Sequence, residues 1–232
     1  MVSINVNYEI TITAFAILLI FLAFISPTLI IPGHAVHFGK ITIITNVDAG
    51  RGNSSHFINK FFPTNQEINV NSTVKWMNPT VGEPYPHTIT FIGNQSSSLL
   101  KSEISNITRL LQSATVGPVT NLIKFYNDST IGNDNLDENF VRSVFFPSVI
   151  NSSGLDVTYL VAPSHHMTGN ESFLNSGFIW PEGQTPNGFY MTSFSVTFLN
   201  PGTYHYKCLI HPDMNGTITV KPAQNPFGIK IN

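Results

Sequence analysis

The chain has 232 residues, of which 42% are hydrophobic and 10% charged, and its formal net charge is −2. This length allows one domain with a substantial core, or one domain with a sizeable insertion. The weak charge and the lack of any basic stripe argue against a nucleic-acid partner. A single cysteine excludes an intramolecular disulfide, a c-type haem attachment and any centre bridged by two thiolates.

An apolar run without a charged residue extends from Ile10 to Ile31. About 20 apolar residues span a bilayer, and this run is long for the apolar part of a signal peptide. The small-x-small pattern Gly33-His34-Ala35 that follows is one that a signal peptidase can cut. We therefore expect residues 1–35 to be a signal peptide or a membrane-anchoring helix. Either interpretation places residues 36–232 outside the cytoplasm.

Short alternating segments separated by turns predict a β-protein. We expect a first strand from His37 to Val47 and a Gly/Asn/Ser linker from Asp48 to Ser55. Later strands alternate apolar and polar residues and are bounded by Pro, Gly and Asn, which is typical of an antiparallel sandwich. The inward-facing residues of these strands are Ile68, Val70, Val74, Trp76, His87, Ile89, Phe91, Phe194, Val196, Phe198, Tyr204, Tyr206, Cys208, Ile218 and Val220.

A long segment interrupts this pattern between about residues 93 and 186, and we interpret it as an insertion that folds against the sandwich. Apolar residues from Leu99 to Leu111 recur at helical spacing, and Gly117-Pro118 is a helix stop. Phe140–Ile150 and Val157–Ala162 are apolar runs that we expect to be extended. No internal repeat is visible, which argues against a second domain of the same kind.

One short stretch near the carboxyl end combines three soft metal ligands. Cys208, His211 and Met214 are spaced Cys-x2-His-x2-Met between two predicted strands. A thiolate, an imidazole and a thioether suit copper better than calcium or magnesium, which prefer oxygen. A trigonal copper site of this kind needs a second imidazole, and His87 lies on an earlier strand with its side chain toward the core. Zinc is the main rival metal, but structural zinc sites do not use a thioether.

These two segments resemble the cupredoxin family of type 1 blue copper proteins, over roughly residues 60–92 and 188–221. The ligand loop is similar to the short loop of amicyanin, and the exported, anchored layout resembles halocyanin-like archaeal proteins; plastocyanin belongs to the same family. The resemblance implies a Greek-key β-sandwich that binds one copper ion. It implies that His87, Cys208 and His211 are equatorial ligands, with His211 partly exposed, and that Met214 is the axial ligand.

The resemblance also implies that Thr88 ties the two ligand loops together. Many relatives have proline two positions after the cysteine, whereas this chain has Ile210, whose N–H remains available. We hypothesise that this N–H donates to the Cys208 sulfur, which would raise the reduction potential.

The function that we predict is an exported, one-electron copper carrier between redox partners of a membrane electron-transport chain, and not an enzyme. A copper storage or delivery protein is the first alternative. A single-copper oxidoreductase, with an open position supplied by His165 or His166, is less favoured. A multicopper oxidase needs several His-x-His pairs, and the chain has none. His165, His166 and Met167 could also form a second metal site, although adjacent strand residues point apart; we expect His205 to lie on the surface.

Overall fold

The computed structural model describes residues 43–53, 56–81, 85–114, 136–151, 154–186 and 191–223. The chain divides at Ile41–Thr42 into two units, and every described residue lies in the second, Thr42–Asn232. The predicted leader therefore lies outside the described residues. Within the described ranges, no helix is both long and apolar enough to cross a bilayer.

The second unit contains two β-sheets. Sheet I has the strand order β2-β1-β4-β10-β8, and sheet II has the order β3-β12-β11-β5-β9-β6-β7. The strands are β1 (Ile44–Asn53), β2 (His56–Phe62), β3 (Asn65–Asn69), β4 (Thr73–Met77), β5 (Thr90–Ile92), β6 (Ser148–Ile150), β7 (Thr158–Tyr159), β8 (Ser164–Met167), β9 (Phe173–Asn175), β10 (Ser193–Phe198), β11 (Gly202–Lys207) and β12 (Asn215–Lys221). Among the described residues, helices α1 (Ser98–Ala114) and α2 (Glu138–Phe145) lie between β5 and β10 in the sequence.

Both sheets are mixed, so the prediction of a purely antiparallel sandwich is wrong. β1 pairs in parallel with β4, β8 with β10, and β3 with β12. Parallel neighbours require a crossover connection of a dozen or more residues. Alternation within single strands carries no information about such crossovers, because it depends only on which face of a strand is buried. The Greek-key connection stays a prediction.

Aromatic side chains fill the space between the two sheets. The Trp76 ring of sheet I lies 5.9 Å from Phe91 and 5.2 Å from Tyr206, both of sheet II. Phe61 of sheet I contacts Tyr206 at 4.7 Å. Edge-to-face and tilted pairs of this kind contribute about 0.5–1.5 kcal/mol each beyond the burial of their area. The predicted inward-facing residues Val74, Trp76, Phe91 and Tyr206 are all buried.

Helix α1 confirms the helix predicted from Leu99 to Leu111. Its spacing of apolar residues produces one buried face, formed by Leu100, Ile104, Ile107 and Leu111. Ile104 and Thr108 of this helix line a cavity together with Ile92 and Lys207 of sheet II. The helix therefore lies against the face of sheet II that points away from sheet I.

The extended structure predicted for Phe140–Ile150 is wrong over its first half. Residues 138–145 form α2, and Asp137 caps this helix by accepting a hydrogen bond from the Phe140 N–H at 2.9 Å. The buried residues Phe140, Val141, Val144 and Phe145 recur at helical spacing, so tertiary burial outweighs the strand preference of valine and phenylalanine. The end of this run forms the short strand β6, and the other predicted run, Val157–Ala162, contains the short strand β7 near its start.

Strand β1 corrects the predicted linker. Residues 48–53 belong to β1, which pairs with β2 on one side and β4 on the other. The pairing register with β2 shifts between Ala49 and Arg51, and Gly50 at this irregularity has a φ of +82°. Gly50 therefore has the left-handed backbone that a β-bulge with glycine adopts. Residues 37–42 of the predicted first strand lie outside the described residues.

Candidate metal centre

The backbone of His87 is held on both sides just before β5. Its N–H donates to the Ile179 carbonyl at 3.0 Å, and its carbonyl accepts from the Ile179 N–H at 2.8 Å. The Asn78 side-chain amide donates to the carbonyls of Tyr85 and Ile179, at 2.8 and 3.1 Å. These bonds satisfy buried backbone groups and fix the chain that presents His87, whose side chain is 1% exposed.

Cys208, His211 and Met214 lie in the loop between β11 and β12. The Cys208 N–H donates to the Met214 carbonyl at 2.9 Å, which closes the loop on itself. Asp213 has a φ of +63°, a left-handed conformation that aspartate tolerates in tight turns. Cys208 and Met214 are buried, and His211 keeps 9% of its surface, more than His87 and Cys208 at 1% and 3%. His211 is thus the most exposed of the three, and its partial exposure as a ligand stays a prediction.

The structure brings His87, Cys208 and His211 together. One ligand atom from each lies within 4.8 Å of the others. The two Nδ1 atoms are 3.1 Å apart, and the Cys208 Sγ is 3.6 Å from the His211 Nδ1. Ligands bound at about 2.0–2.3 Å to one ion lie roughly 3–4 Å from each other. Within the described ranges, these residues form the sole group of three or more His, Cys, Asp or Glu side chains with such spacing.

The protonation states of two of these groups suit a metal. Burial lowers the pKa of His87, and the neighbouring His211 lowers it further, although Cys208 opposes the change. Burial would raise the pKa of the Cys208 thiol, but hydrogen bonds from His211 and His87 outweigh it and hold this pKa well below its usual range. The electrostatics therefore favour a neutral imidazole and a thiolate, the forms that bind metals.

The donor chemistry fits a copper ion. Cys208 is a free, buried cysteine, and its sulfur and the two imidazole nitrogens converge on one point. Two imidazoles and one thiolate suit copper or zinc, and a thioether as a weak fourth ligand favours copper. Met214 is fully buried in the same loop. Its role as the fourth ligand stays a prediction.

Thr88 joins the two segments that carry the ligands, as predicted. Its N–H donates to the Cys208 Sγ at 3.4 Å, and its Oγ1 accepts from the Leu209 N–H at 2.8 Å. Among the described residues, no hydrogen bond joins the Ile210 N–H to this sulfur, so that hypothesis receives no support. The donor comes instead from the chain preceding β5, which is the neighbour of β11 in sheet II.

Gly50 is a site residue that the sequence analysis missed. A Cβ on residue 50 would lie 2.4 Å from the Nε2 of His87, far closer than any side-chain carbon can approach. This Nε2 is buried and has no hydrogen-bond partner within the described residues. A glycine inside a strand is itself a signal for the close approach of another group. The interpretation of residues 48–55 as a linker concealed it.

The other histidines considered as ligands lie elsewhere. His165 on β8 contacts the carboxylate of Glu171, with Nε2 and Oε1 3.1 Å apart. Across the described residues, no group of three metal-binding side chains includes His165 or His166. The hypothesis of a second metal site there receives no support. His205 is exposed beside Thr217, as predicted.

The chain has a mainly β fold of two facing sheets, and a buried His-Cys-His group that could hold a metal ion lies at one end of two neighbouring strands. Solved structures similar to this chain are plastocyanins and amicyanins, which are cupredoxins. A mutant fern plastocyanin is 19% identical, with a TM-score of 0.32, over 76% of this chain and all of that one. A mutant amicyanin in its Cu(I) form is 16% identical, with a TM-score of 0.35, over 78% and 82%.

Oxidised plastocyanin from Dryopteris crassirhizoma is 19% identical, with a TM-score of 0.31, over 76% of this chain and all of that one. No protein-family model matches the chain, and no curated protein matches it either. Because these TM-scores are below 0.5, the function of this chain is inferred from its own residues.

Proposed function

We propose that the chain binds one type 1 copper ion through His87, Cys208 and His211, with Met214 as a weak fourth ligand, and that it carries single electrons between redox partner proteins. The observation that supports this proposal is the convergence of two imidazole nitrogens and a buried thiol within 4.8 Å. A bound copper would supply the Cu(II)/Cu(I) couple. The chain's own residues hold the ligands in place and exclude water.

The ligands are positioned by hydrogen bonds that do not depend on a metal. Ile179 holds the backbone of His87, Thr88 ties Leu209 to the same segment, and the Met214 carbonyl holds Cys208. A site that is organised in advance needs little rearrangement when its charge changes, which favours electron transfer. Four proposed ligands leave no open position for a substrate, which argues against an enzyme.

His211 is the most exposed of the four proposed ligands. Its 9% exposure contrasts with the nearly complete burial of the other two ligands. Contacts of redox partners are commonly small and transient. We place the docking of the redox partner at the surface around His211. The weak net charge favours an apolar contact over electrostatic steering.

Export of the domain is also part of the proposal. The apolar run from Ile10 to Ile31 supports it, as a signal peptide or as an anchor. Partners would then belong to a membrane electron-transport chain outside the cytoplasm. Expression of the full chain, with the amino terminus of the product determined by mass spectrometry, distinguishes a cleaved leader from a retained one; recovery of the intact chain in the cytosol contradicts export.

The central experiment is copper loading of residues 36–232, followed by visible and electron paramagnetic resonance (EPR) spectroscopy. We expect intense absorption from a thiolate–copper bond and an EPR signal with narrow copper hyperfine splitting. Cys208→Ser should abolish the absorption, whereas His205→Ala, on the exposed face of β11, should leave it unchanged. A wild-type protein that binds copper without this absorption contradicts the proposal. Rapid loss of Cu(I) to a mild chelator, with slow electron exchange, supports the storage alternative instead.

A further inference from the structure

A buried hydrogen-bond chain continues from Thr88 away from the metal centre. The Thr88 and Thr90 hydroxyl oxygens are 3.2 Å apart, and the Thr90 hydroxyl donates to the Asn175 Oδ1 at 2.8 Å. The Asn175 Nδ2 donates to the carbonyls of Ser143 and Val144, at 2.9 and 3.0 Å. All five residues are at most 1% exposed. This series of hydrogen bonds is therefore buried from solvent along its whole length.

The direction of every hydrogen bond in this series follows from the number of donors and acceptors that each group has. A threonine hydroxyl has one proton, and Thr90 uses its proton to donate to Asn175. The bond between the two hydroxyls must then be donated by Thr88, which leaves a lone pair on the Thr88 Oγ1 to accept from the Leu209 N–H. The two carbonyls fix the amide of Asn175 with its NH₂ toward α2. Every donor in the series is used once.

This order connects the helix α2 to the loop that carries the thiolate. Ser143 and Val144 belong to α2, Asn175 to β9 and Thr90 to β5, while Leu209 directly follows Cys208. Buried polar groups in a continuous series polarise one another, and the loss of one member leaves its neighbours unsatisfied. The position of the thiolate loop thus depends on residues far outside the motif that carries the ligands.

We propose that Thr90 and Asn175 are positioning residues of the metal centre, which hold the Thr88 hydroxyl toward the Leu209 N–H and so fix the Cys208 sulfur relative to the imidazoles. The inference rests on the proposed copper function. It also gives the segment between β5 and β10 a role in the centre, because both Asn175 and the carbonyls that it binds lie within that segment.

Thr90→Val is the first test, because valine keeps the shape of threonine and removes its hydroxyl. We expect copper affinity to fall by about tenfold, and the thiolate–copper absorption and the EPR hyperfine splitting to shift. Thr90→Ser, which keeps the hydroxyl, should have the copper affinity, the absorption and the hyperfine splitting of the wild type. Thr73→Val is the matched control. The Thr73 hydroxyl pairs with that of Thr197 at 2.7 Å in sheet I, so this substitution removes a similar hydrogen bond and leaves the series from Asn175 to Leu209 intact.

Amide hydrogen exchange in the metal-free protein provides a readout that does not need copper. Exchange of the Leu209 N–H should become about tenfold faster in Thr90→Val and in Asn175→Leu, and stay unchanged in Thr73→Val. Unaltered spectra, affinity and Leu209 exchange in Thr90→Val, in a wild-type background that shows the thiolate–copper absorption, overturn this inference and leave the copper function intact. A wild-type protein without that absorption contradicts the copper function itself. In that case the Leu209 exchange rates alone show whether Thr90 and Asn175 position the loop that carries Cys208.

Discussion

Gly50 of β1 lies directly against the ring of His87, with room for a hydrogen and not for a methyl group. A Cβ on residue 50 would be 2.4 Å from the His87 Nε2. The other ring nitrogen, Nδ1, is the atom that faces His211, at 3.1 Å. Sheet I therefore limits how far this imidazole can withdraw from the metal centre.

Substitution of Gly50 by alanine should displace the His87 ring. Two penalties combine in this variant. The φ of +82° disfavours any side chain by about 1–2 kcal/mol, and the new methyl group collides with the His87 Nε2. We expect the free energy of unfolding of the metal-free protein to fall by at least that amount. Copper affinity, measured by competition with a chelator, should fall about tenfold.

Gly183→Ala is the control for the backbone penalty. Gly183 also has a left-handed φ, of +74°, but a Cβ there would meet no atom within 4 Å. This variant should lose a similar 1–2 kcal/mol of stability and keep its copper affinity. Equal copper affinities for the Gly50 and Gly183 variants would show that the contact with His87 does not position the ring.

Met214→Leu tests the predicted fourth ligand. Leucine nearly conserves the volume of methionine, so this fully buried position should lose less than about 1.5 kcal/mol of stability. If the thioether is a ligand, its removal takes a weak donor from the metal and leaves a more apolar site, which favours the lower charge of Cu(I). The reduction potential, measured by voltammetry, should rise.

Met167→Leu is the matched control for Met214→Leu. Met167 is also buried, but it lies on β8 of sheet I, outside the ligand loop. Its substitution should leave the potential unchanged. A Met214→Leu potential equal to that of the wild type would remove Met214 from the ligand set.

Glu171 should make the fold sensitive to acid. Burial would raise the pKa of Glu171, but hydrogen bonds from His165, from Thr168 and from its own backbone N–H outweigh it and lower this pKa from 4.5 to about 2. A carboxyl with a depressed pKa stabilises the fold fully above its unfolded pKa of 4.5 and loses that contribution as the pH falls toward 2. Because solvent screens part of this interaction, the loss should be at most about 3 kcal/mol.

Glu171→Gln separates this contribution from other groups that titrate in acid. Glutamine cannot ionise, so the variant should be less stable at neutral pH and should lose less stability between pH 4.5 and pH 2. Urea unfolding of both metal-free proteins across this range measures the difference. Parallel pH profiles for the two proteins would contradict the assignment.

Copper should stabilise the folded chain in proportion to its binding. A ligand that binds only the folded state at a free concentration of 100 times its Kd adds about 2.7 kcal/mol to the free energy of unfolding. We expect this gain for the wild type in Cu(I)-buffered solution. His211→Ala should lose most of the gain, while Ala substitution of the exposed His205 should keep it; a full gain in His211→Ala would exclude that imidazole as a ligand.

Much of the site was predictable from the sequence because its signals are local. Cys208, His211 and Met214 lie within seven consecutive residues, so their chemistry and spacing are visible without a fold. The buried faces of β4, β10 and β12 follow from alternation with period two, and α1 follows from its 3.6-residue period. Aspartate at the start of α2 was a signal for a helix that the aromatic and β-branched residues after it concealed.

The sequence by itself determined the candidate ligands Cys208, His211 and Met214 and the β character of the strands, because both depend on residues that are neighbours in the chain. Only the tertiary structure decided that His87 meets Cys208, which lies 121 positions later, and that β1 passes behind the imidazole. It also decided the parallel strand pairs and the buried series from Asn175 to Leu209. The physical reason is that each of these contacts forms between segments far apart in sequence, where pairing depends on how whole sheets pack and not on the preference of any single residue.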